Sequence, residues 1–257
     1  MADAGKLMAG KRGLVLGVAN NRSIAWGITK ACHDNGAEIA LTYQGDAAAA
    51  AGVVAGIEAA GGVAVAVRAD VSVEGDVLAA FAAAEELGTI TALVANAGIV
   101  GPKARVDEMT TARVERILAV NALGPIICCR EAVRRMSTLH GGSGGSIVLV
   151  GSAASRIGGS FEFVDYAASK GAVDTLGLGL AREVAAERIR VNVVRPGVID
   201  TEIHATGGQP DRVERLTPLL PMARAGEADE VAAAILWFLG DDASYCTGSI
   251  LDVAGGR

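Results

Sequence analysis

The sequence predicts an α/β protein in which one parallel β-sheet carries helices on both faces. Short apolar runs alternate with longer amphipathic segments along almost the whole chain. Such short runs are typical of parallel strands, which are buried on both faces. Because the alternation requires right-handed crossovers, it favours a doubly wound sheet of about seven strands. No linker-like change of composition interrupts the 257 residues, so we predict a single domain over residues 1–257.

Seven segments have the strand pattern and six have the helix pattern. The predicted strands are residues 13–17, 37–43, 63–69, 90–95, 146–150, 189–194 and 249–253. The predicted helices are residues 23–35, 47–60, a helix that starts after Ser72 as its N-cap, 111–138, 164–187 and 227–239. Residues 200–226 form a long irregular stretch, which predicts a lid over a binding site.

Composition excludes several classes of function. The net charge of −6 argues against a nucleic-acid partner, because phosphate backbones require a basic face. The three histidines are far apart in sequence, which argues against a zinc site, and the four cysteines have no C-x-x-C spacing. We therefore expect reduced thiols in a cytoplasmic protein. We expect no membrane span and no signal peptide, because neither apolar pattern is present.

Small and polar residues recur where the predicted strands end, and ligands of doubly wound sheets bind beyond that edge. Residues 17–27 follow the first strand and open the first helix, whose N–H groups favour a pyrophosphate, although the G-x-G-x-x-G fingerprint is absent. The candidate cofactor-binding residues are Gly17, Asn20, Arg22, Ser23, Ile24, Gln44, Asp70, Val71, Asn96, Ala97, Gly98, Tyr166, Lys170, Pro196, Gly197, Ile199 and Thr201. Each alone is compatible with ordinary turn chemistry. Together they predict a dinucleotide site of the Rossmann type.

Tyr166 and Lys170 are four residues apart at the start of a predicted helix, so they share one face. An ammonium beside a phenol lowers the phenol pKa from about 10 toward the range of an acid–base catalyst. Ser152 follows a strand and can hold a substrate oxygen at the same place. Asn121 lies within a predicted helix, where asparagine is unfavourable, so we expect it to interrupt the helix and hold a water.

The chain carries the motifs Asn-Ala-Gly at 96–98, Asn121, Ser152, residues 165–172 and Arg-Pro-Gly at 195–197. Through these motifs it resembles the short-chain dehydrogenase/reductase family along nearly the whole chain. The resemblance implies an NAD(P)-dependent oxidoreductase with Tyr166 as general acid/base and Ser152 as the residue that orients the substrate. It implies that Lys170 binds the nicotinamide ribose and tunes Tyr166, and that Asn121 belongs to a proton relay through water. It also implies a homotetramer that uses the late helix and the last strand.

Two branches of that family are represented in the chain. Residues 11–45 resemble a bacterial enoyl-acyl-carrier-protein reductase, whereas residues 90–257 resemble sugar-type and 3-oxoacyl-type dehydrogenases. The enoyl branch separates its Tyr and Lys by six residues, and here only three separate them. We therefore predict exchange between a ketone and a secondary alcohol on a 3-oxoacyl, sugar or similar small substrate. An enoyl reductase and a non-catalytic dinucleotide-binding module are the alternatives.

Cofactor choice depends on the residues after the second strand. An acid there binds the ribose hydroxyls of NAD, whereas an arginine accepts the 2′-phosphate of NADP. Residues 42–46 contain no basic residue, and Asp46 lies near the strand end. This pattern favours NAD over NADP, with Gln44 at the adenosine. Arg22 is either a ligand of a cofactor phosphate or a solvated charge.

Overall fold

A computed structural model gives the structure of the chain and describes residues 6–18, 20 and 22–257. Residues 1–5, and positions 19 and 21 of the predicted phosphate loop, lie outside the described residues. The strands are β1 Arg12–Val15, β2 Glu38–Tyr43, β3 Ala64–Arg68, β4 Ala92–Ala95, β5 Gly145–Val150, β6 Ile189–Pro196 and β7 Ile250–Val253. All pair in parallel, in the order β3-β2-β1-β4-β5-β6-β7. The predicted doubly wound, seven-stranded sheet is confirmed.

Helices cover both faces of the sheet. They are α1 Ile24–Asp34, α2 Ala47–Ala59, α3 Glu74–Glu86, α4 Thr111–Leu118, α5 Gly124–Met136, α6 Ala154–Ile157, α7 Val164–Val184, α8 Ile203–Thr206, α9 Arg212–Leu216 and α10 Ala228–Leu239. A π-helical turn, Ala119–Leu123, joins α4 to α5. None of the described helices is long and apolar enough to cross a membrane.

Alternating side chains of each strand supply two hydrophobic cores. Leu14 and Leu93 pack in the core beneath α3, α5 and α7. Their neighbours Val15 and Val94 pack in the opposite core, beneath α1, α2 and α10. Successive residues of a strand point to opposite faces, so a strand covered on both faces must be apolar at every position. This explains the unbroken apolar runs of the sequence.

Of two local predictions, the structure contradicts the one at Ser72 and agrees with the one at Asn121. The prediction that Ser72 caps α3 is wrong, because the helix begins at Glu74 and Val73 occupies the N-cap position. The Ser72 N–H and hydroxyl donate instead to Asp70 Oδ1, at 3.0 and 2.6 Å, since that carboxylate lies only two residues away. The predicted helix over 111–138 is interrupted around Asn121, as we expected from the poor helix propensity of asparagine.

Residues 200–226 leave the sheet and return to the same point. Ile199 and Gly226 form an isolated parallel bridge, and the Asp200 N–H donates to the Gly226 carbonyl at 2.9 Å. The segment contains α8 and α9, so it is more regular than the sequence predicts. Its path runs along the carboxyl ends of the strands, where several of its side chains line the cavity described next.

Candidate active site

A cavity of about 660 Å³ opens at the carboxyl edge of the sheet. The strand order reverses between β1 and β4, and doubly wound sheets bind their ligands at this reversal. The predicted residues that line the cavity are Gly17, Asn20, Ser23, Ile24, Gln44, Asp70, Val71, Asn96, Ala97, Gly98, Ser152, Tyr166, Lys170, Pro196, Gly197, Ile199 and Thr201. Of the predicted site residues, Arg22 and Asn121 are not in the cavity wall.

Gly17 allows the chain to turn tightly after β1. Its φ of +83° lies in the left-handed region that favours glycine, and a Cβ built there would stand 2.6 Å from the Ala97 Cα. The Gly17 N–H donates to Thr42 Oγ1 at 3.0 Å, a contact that sequence reasoning missed. Ser23 follows as the N-cap of α1, and its hydroxyl accepts the Trp26 N–H at 3.2 Å. The positive end of an eleven-residue helix therefore faces the cavity.

The predicted phosphate loop is tied to the 200–226 segment by two side-chain contacts. Asn20 Nδ2 donates to Glu202 Oε2 at 2.5 Å. Arg22 Nη2 lies 3.3 Å from Asp200 Oδ1, and both side chains are about half-exposed. Arg22 is therefore paired with a carboxylate while its side chain stays partly exposed to solvent. These contacts couple the position of the segment to that of the loop.

A polar cluster lies at the end of the cavity beyond β2 and β3. Gln44 Nε2 donates to Asp70 Oδ2 at 2.7 Å, and Arg116 Nη2 donates to the same oxygen at 2.8 Å. Burial works to raise the pKa of Asp70, but hydrogen bonds from Ser72 and Arg116 outweigh it and lower that pKa. Asp70 therefore stays ionised and holds Gln44 in place. The exposed Arg68 also reaches this corner, where its Nε donates to the Gln44 carbonyl at 3.3 Å.

Lys170 and Tyr166 lie at the opposite end of the cavity, on the first turns of α7. Lys170 is buried, and its Nζ donates to the Val150 carbonyl at 2.8 Å. A Cβ built on Gly98 would lie 3.3 Å from that Nζ, so the Asn-Ala-Gly turn passes directly beside the ammonium. Burial lowers the pKa of Lys170 to about 8, against an opposing effect of the Asp174 carboxylate.

The pKa of Tyr166 depends on more groups than the sequence indicated. Burial raises the pKa of Tyr166, while the Ser152 hydroxyl and the Arg212 charge act to lower it. Lys170 Nζ lies 5.8 Å from the centre of the Tyr166 ring. We expected the Lys170 ammonium to lower the pKa of Tyr166. In the structure Ser152 and Arg212, a residue of the 200–226 segment, are the groups that act to lower it.

Asn121 is fully buried behind the cavity and fastens the turn after β4. Its Oδ1 accepts the Ile99 N–H at 2.8 Å, and its Nδ2 donates to the Ile99 carbonyl at 2.8 Å. The same Nδ2 lies 3.0 Å from Ser169 Oγ on α7. Asn121 therefore links the turn at 98–99 to the helix that carries Tyr166. π-helical turns like this one are often found at functional sites.

A nearly buried ion pair also holds the start of α7. Arg113 Nε lies 2.7 Å from Asp165 Oδ2, and Arg113 Nη1 donates to the Pro102 carbonyl at 2.6 Å. Asp165 Oδ1 accepts the Tyr166 N–H at 2.9 Å. Sequence reasoning missed Arg113, because nothing local connects it to a residue 52 positions away.

The part of the cavity between Tyr166 and the 200–226 segment has a charged wall. The lining residues there that sequence reasoning did not select are Glu162, Phe163, His204, Gln209, Arg212 and Arg257. For His204, Gln209 and Arg212 the only available signal was their place in the predicted lid. Across the described ranges, no group of three or more potential metal ligands occurs. The arrangement therefore offers a hydroxyl, a phenol and an ammonium beside a long cleft.

Several known proteins are similar to this chain over most of its length. A family model described as enoyl-(acyl carrier protein) reductase matches residues 17–257. The uncharacterized oxidoreductase YgfF of Escherichia coli K12 is 52% identical over 223 residues, which are 86% of this chain and 90% of that protein. Glucose 1-dehydrogenase 2 of Bacillus subtilis 168 is 31% identical over 252 residues, 98% of this chain and 96% of the relative. A short-chain dehydrogenase of Burkholderia cenocepacia J2315, solved in complex with NADP, is 32% identical, covers 98% of this chain and 99% of its own, and has a TM-score of 0.88.

The chain belongs to the short-chain dehydrogenase/reductase family. It is a nicotinamide-dependent oxidoreductase that transfers a hydride between its cofactor and a ketone or secondary alcohol.

Proposed function

We propose that Ser152, Tyr166 and Lys170 together perform the proton transfer of this ketone–alcohol exchange. The observation that carries the proposal is that all three side chains line one end of a single cavity, beside the Asn-Ala-Gly turn. A bound nicotinamide would supply the hydride to the carbonyl carbon or accept it from the alcohol carbon. In reduction, the Tyr166 hydroxyl gives its proton to the carbonyl oxygen, and in oxidation it takes the proton from the alcohol. The Ser152 hydroxyl holds that same oxygen.

The residues of the cavity fit a dinucleotide. The left-handed Gly17 and the N-terminus of α1 form a cradle for a pyrophosphate, and a Cβ at position 17 would stand 2.6 Å from the Ala97 Cα and displace the turn. The corner formed by Gln44, Asp70 and Val71 would hold the adenosine. The Lys170 ammonium would hold the nicotinamide ribose beside Gly98.

Asn121 is proposed to serve the site in two ways. Its hydrogen bonds to Ile99 hold the turn that lies against the nicotinamide end. A Cβ on Gly98 would lie 3.4 Å from Asn121 Oδ1 and 3.3 Å from Lys170 Nζ, so both groups border the same small space. We expect a water there to complete a proton path from Lys170.

We propose NADP as the preferred cofactor, which revises the preference for NAD drawn from residues 42–46. Those residues hold no cation, but the pairing of β2 with β3 brings Arg68 beside Gln44. Asp46, the candidate ribose ligand, uses its Oδ1 to cap α2 by accepting the Ala49 N–H at 2.8 Å. The NADP complex of the Burkholderia cenocepacia relative supports the same choice.

Paired variants test the cofactor proposal. Arg68→Gln should lower kcat/KM for NADPH by about 10- to 100-fold, the value of one or two charge-assisted hydrogen bonds, and leave kcat/KM for NADH nearly unchanged. Arg22→Gln is the matched control, because Arg22 already pairs with Asp200. A loss of NADPH preference in Arg22→Gln but not in Arg68→Gln would assign the phosphate to Arg22. A wild-type enzyme that prefers NADH would support NAD as the preferred cofactor instead.

The catalytic proposal is tested by three substitutions in the same assay. Tyr166→Phe removes only the phenolic oxygen, so it should lower turnover by at least about 10²–10⁴-fold without changing cofactor affinity. Ser152→Ala should also spare cofactor affinity. Lys170→Ala should weaken cofactor binding as well as turnover. The three losses should not add, because the residues act as a unit.

An enoyl reductase is the second candidate, and the description of the matching family model favours it. The spacing of three residues between Tyr166 and Lys170 argues against it. The wild type should reduce a ketone or oxidise a secondary alcohol and leave an enoyl thioester unchanged. Enoyl reduction that survives Tyr166→Phe would overturn the assignment. Cofactor binding with no turnover of any ketone would instead favour a non-catalytic module.

Assembly and movement of the lid are further proposals. We propose a cytoplasmic homotetramer that buries α10 and β7, because Trp237 is 40% exposed, Leu251 is 39% exposed and Tyr245 is fully exposed on that side. Light scattering at several concentrations measures the assembly directly.

Residues 200–226 are proposed to close on the bound substrate.

A further inference from the structure

The most unusual group in the cavity is Arg212, on α9 of the 200–226 segment. Arg212 is only 6% exposed, yet just one of its guanidinium nitrogens makes hydrogen bonds within the described structure. That nitrogen is Nη1, which donates to Glu162 Oε2 at 2.7 Å and to Gln209 Oε1 at 3.1 Å. Nε and Nη2 have no described partner. Neither atom is among the buried polar atoms that lack a partner, so both are accessible from the cavity, and an open pair of donors in a cavity wall points to a ligand.

The position of Arg212 relates it directly to the reacting atoms. Its Cζ lies 4.7 Å from the centre of the Phe163 ring, and that ring lies edge-to-face with Tyr166 at 5.7 Å between centres. The Arg212 charge is close enough to Tyr166 to act on its pKa. A substrate group held by Arg212 would therefore lie only a few bonds away from the carbon that exchanges hydride.

The surrounding charges also favour an anion. Glu162 is the one carboxylate in contact with Arg212 among the described residues, and it also lies 3.9 Å from Arg215 Nη1. Arg257 lines the same cavity, and its guanidinium makes no hydrogen bond with any described residue. Arg215 also pairs with Asp211 and does not line the cavity, so two arginines of the wall, Arg212 and Arg257, lie beside the carboxylate of Glu162, in a protein whose net charge is −6. This end of the cavity is locally cationic although the molecule is acidic.

We infer that the Nε and Nη2 edge of Arg212 binds a carboxylate of the substrate, which makes the substrate an oxo or hydroxy carboxylic acid. The two N–H bonds of this edge are parallel and match the two oxygens of a carboxylate. Arg257 adds a second positive charge to the same end. The inference rests on the proposed function of the cavity, and it adds the class of substrate.

Matched acids and esters test the inference. The substrates are 3-oxobutanoate, 4-oxopentanoate and 5-oxohexanoate, each beside its methyl ester, with NADPH and NADH. For the best pair, the wild type should reduce the acid with a kcat/KM at least about 10- to 100-fold above the ester, the range for a bidentate charged contact. Arg212→Gln should remove this ratio. Arg212→Lys keeps the charge but loses the two parallel N–H donors, so it should retain only part of the acid-to-ester ratio of kcat/KM.

Controls separate recognition from folding. Arg224→Gln removes an equal charge from the same segment, but Arg224 pairs with Glu230 and does not line the cavity, so the ratio should be unchanged. A purely structural role of Arg212 would lower acid and ester rates equally. That result, or a wild type that prefers the ester in every pair, would overturn the inference.

Direct binding separates this inference from the proposed function. Quenching of bound NADPH fluorescence reports ligand binding to the holoenzyme without turnover. If neither member of any pair is reduced, the proposed function fails, but acid binding that Arg212→Gln abolishes would still support the carboxylate site. Equal binding of acid and ester would reject the site even in an active enzyme.

Discussion

Replacement of Asn121 by alanine is expected to destabilise the whole domain, although Asn121 does not line the cavity. The substitution removes three hydrogen bonds: two to the Ile99 backbone and one to Ser169 Oγ. Each partner left unsatisfied costs about 1–3 kcal/mol, and water can relieve part of this at Ile99, which is only part-buried. Alanine regains less than about 1 kcal/mol of helix propensity. The expected net loss is about 2–4 kcal/mol.

Equilibrium unfolding of the cofactor-free protein in guanidinium chloride, followed by circular dichroism, measures this loss. In a thermal scan it corresponds to a fall in Tm of about 5–15 °C for a domain of this size. Asn35→Ala is the matched control, because its one side-chain hydrogen bond lies at the C-cap of α1, and it should cost less than about 1 kcal/mol. A loss in Asn121→Ala no larger than in this control would refute the positioning role.

Three further perturbations follow from the site geometry. Gly17→Ala places a Cβ 2.6 Å from the Ala97 Cα at a φ of +83°. The cofactor Kd measured by fluorescence should therefore rise at least about tenfold. An unchanged affinity would reject the pyrophosphate cradle. Arg113→Ala leaves the buried Asp165 carboxylate unpaired and should lower the free energy of unfolding, measured in urea, by about 3–5 kcal/mol. The double variant Arg113→Met/Asp165→Leu should recover part of this loss in stability. Lys170 loses its proton near pH 8 in the folded protein but near 10.5 when unfolded, so unfolding binds a proton between these values. The free energy of unfolding should therefore rise from pH 8 to 10 relative to Lys170→Met, and a flat difference would show that Lys170 titrates normally.

The order of strands and helices could be predicted from the sequence because its signals are local. An apolar run at every position marks a strand covered on both faces, and the turn residues that follow it mark the binding edge. The Tyr166 and Lys170 pair was equally accessible, since a spacing of four residues fixes a shared helix face without any knowledge of the fold. Ser72 shows the limit of such signals. Its side chain suits an N-cap, but Asp70 competes for it and α3 begins later.

Only the tertiary structure decided which residues that are distant in the chain contact one another. Arg68 reaches Gln44 because β3 pairs with β2, and Arg113 reaches Asp165 across 52 positions. The open edge of Arg212 exists because Glu162 and Gln209 satisfy only Nη1. Periodicity specifies which face of an element is buried, and that was enough to determine the sheet and its binding edge. Charge pairing depends on the register of strands and on the path of the 200–226 segment. The sequence alone therefore determined the class of reaction, while the packed fold decided which charged side chains meet at the cavity.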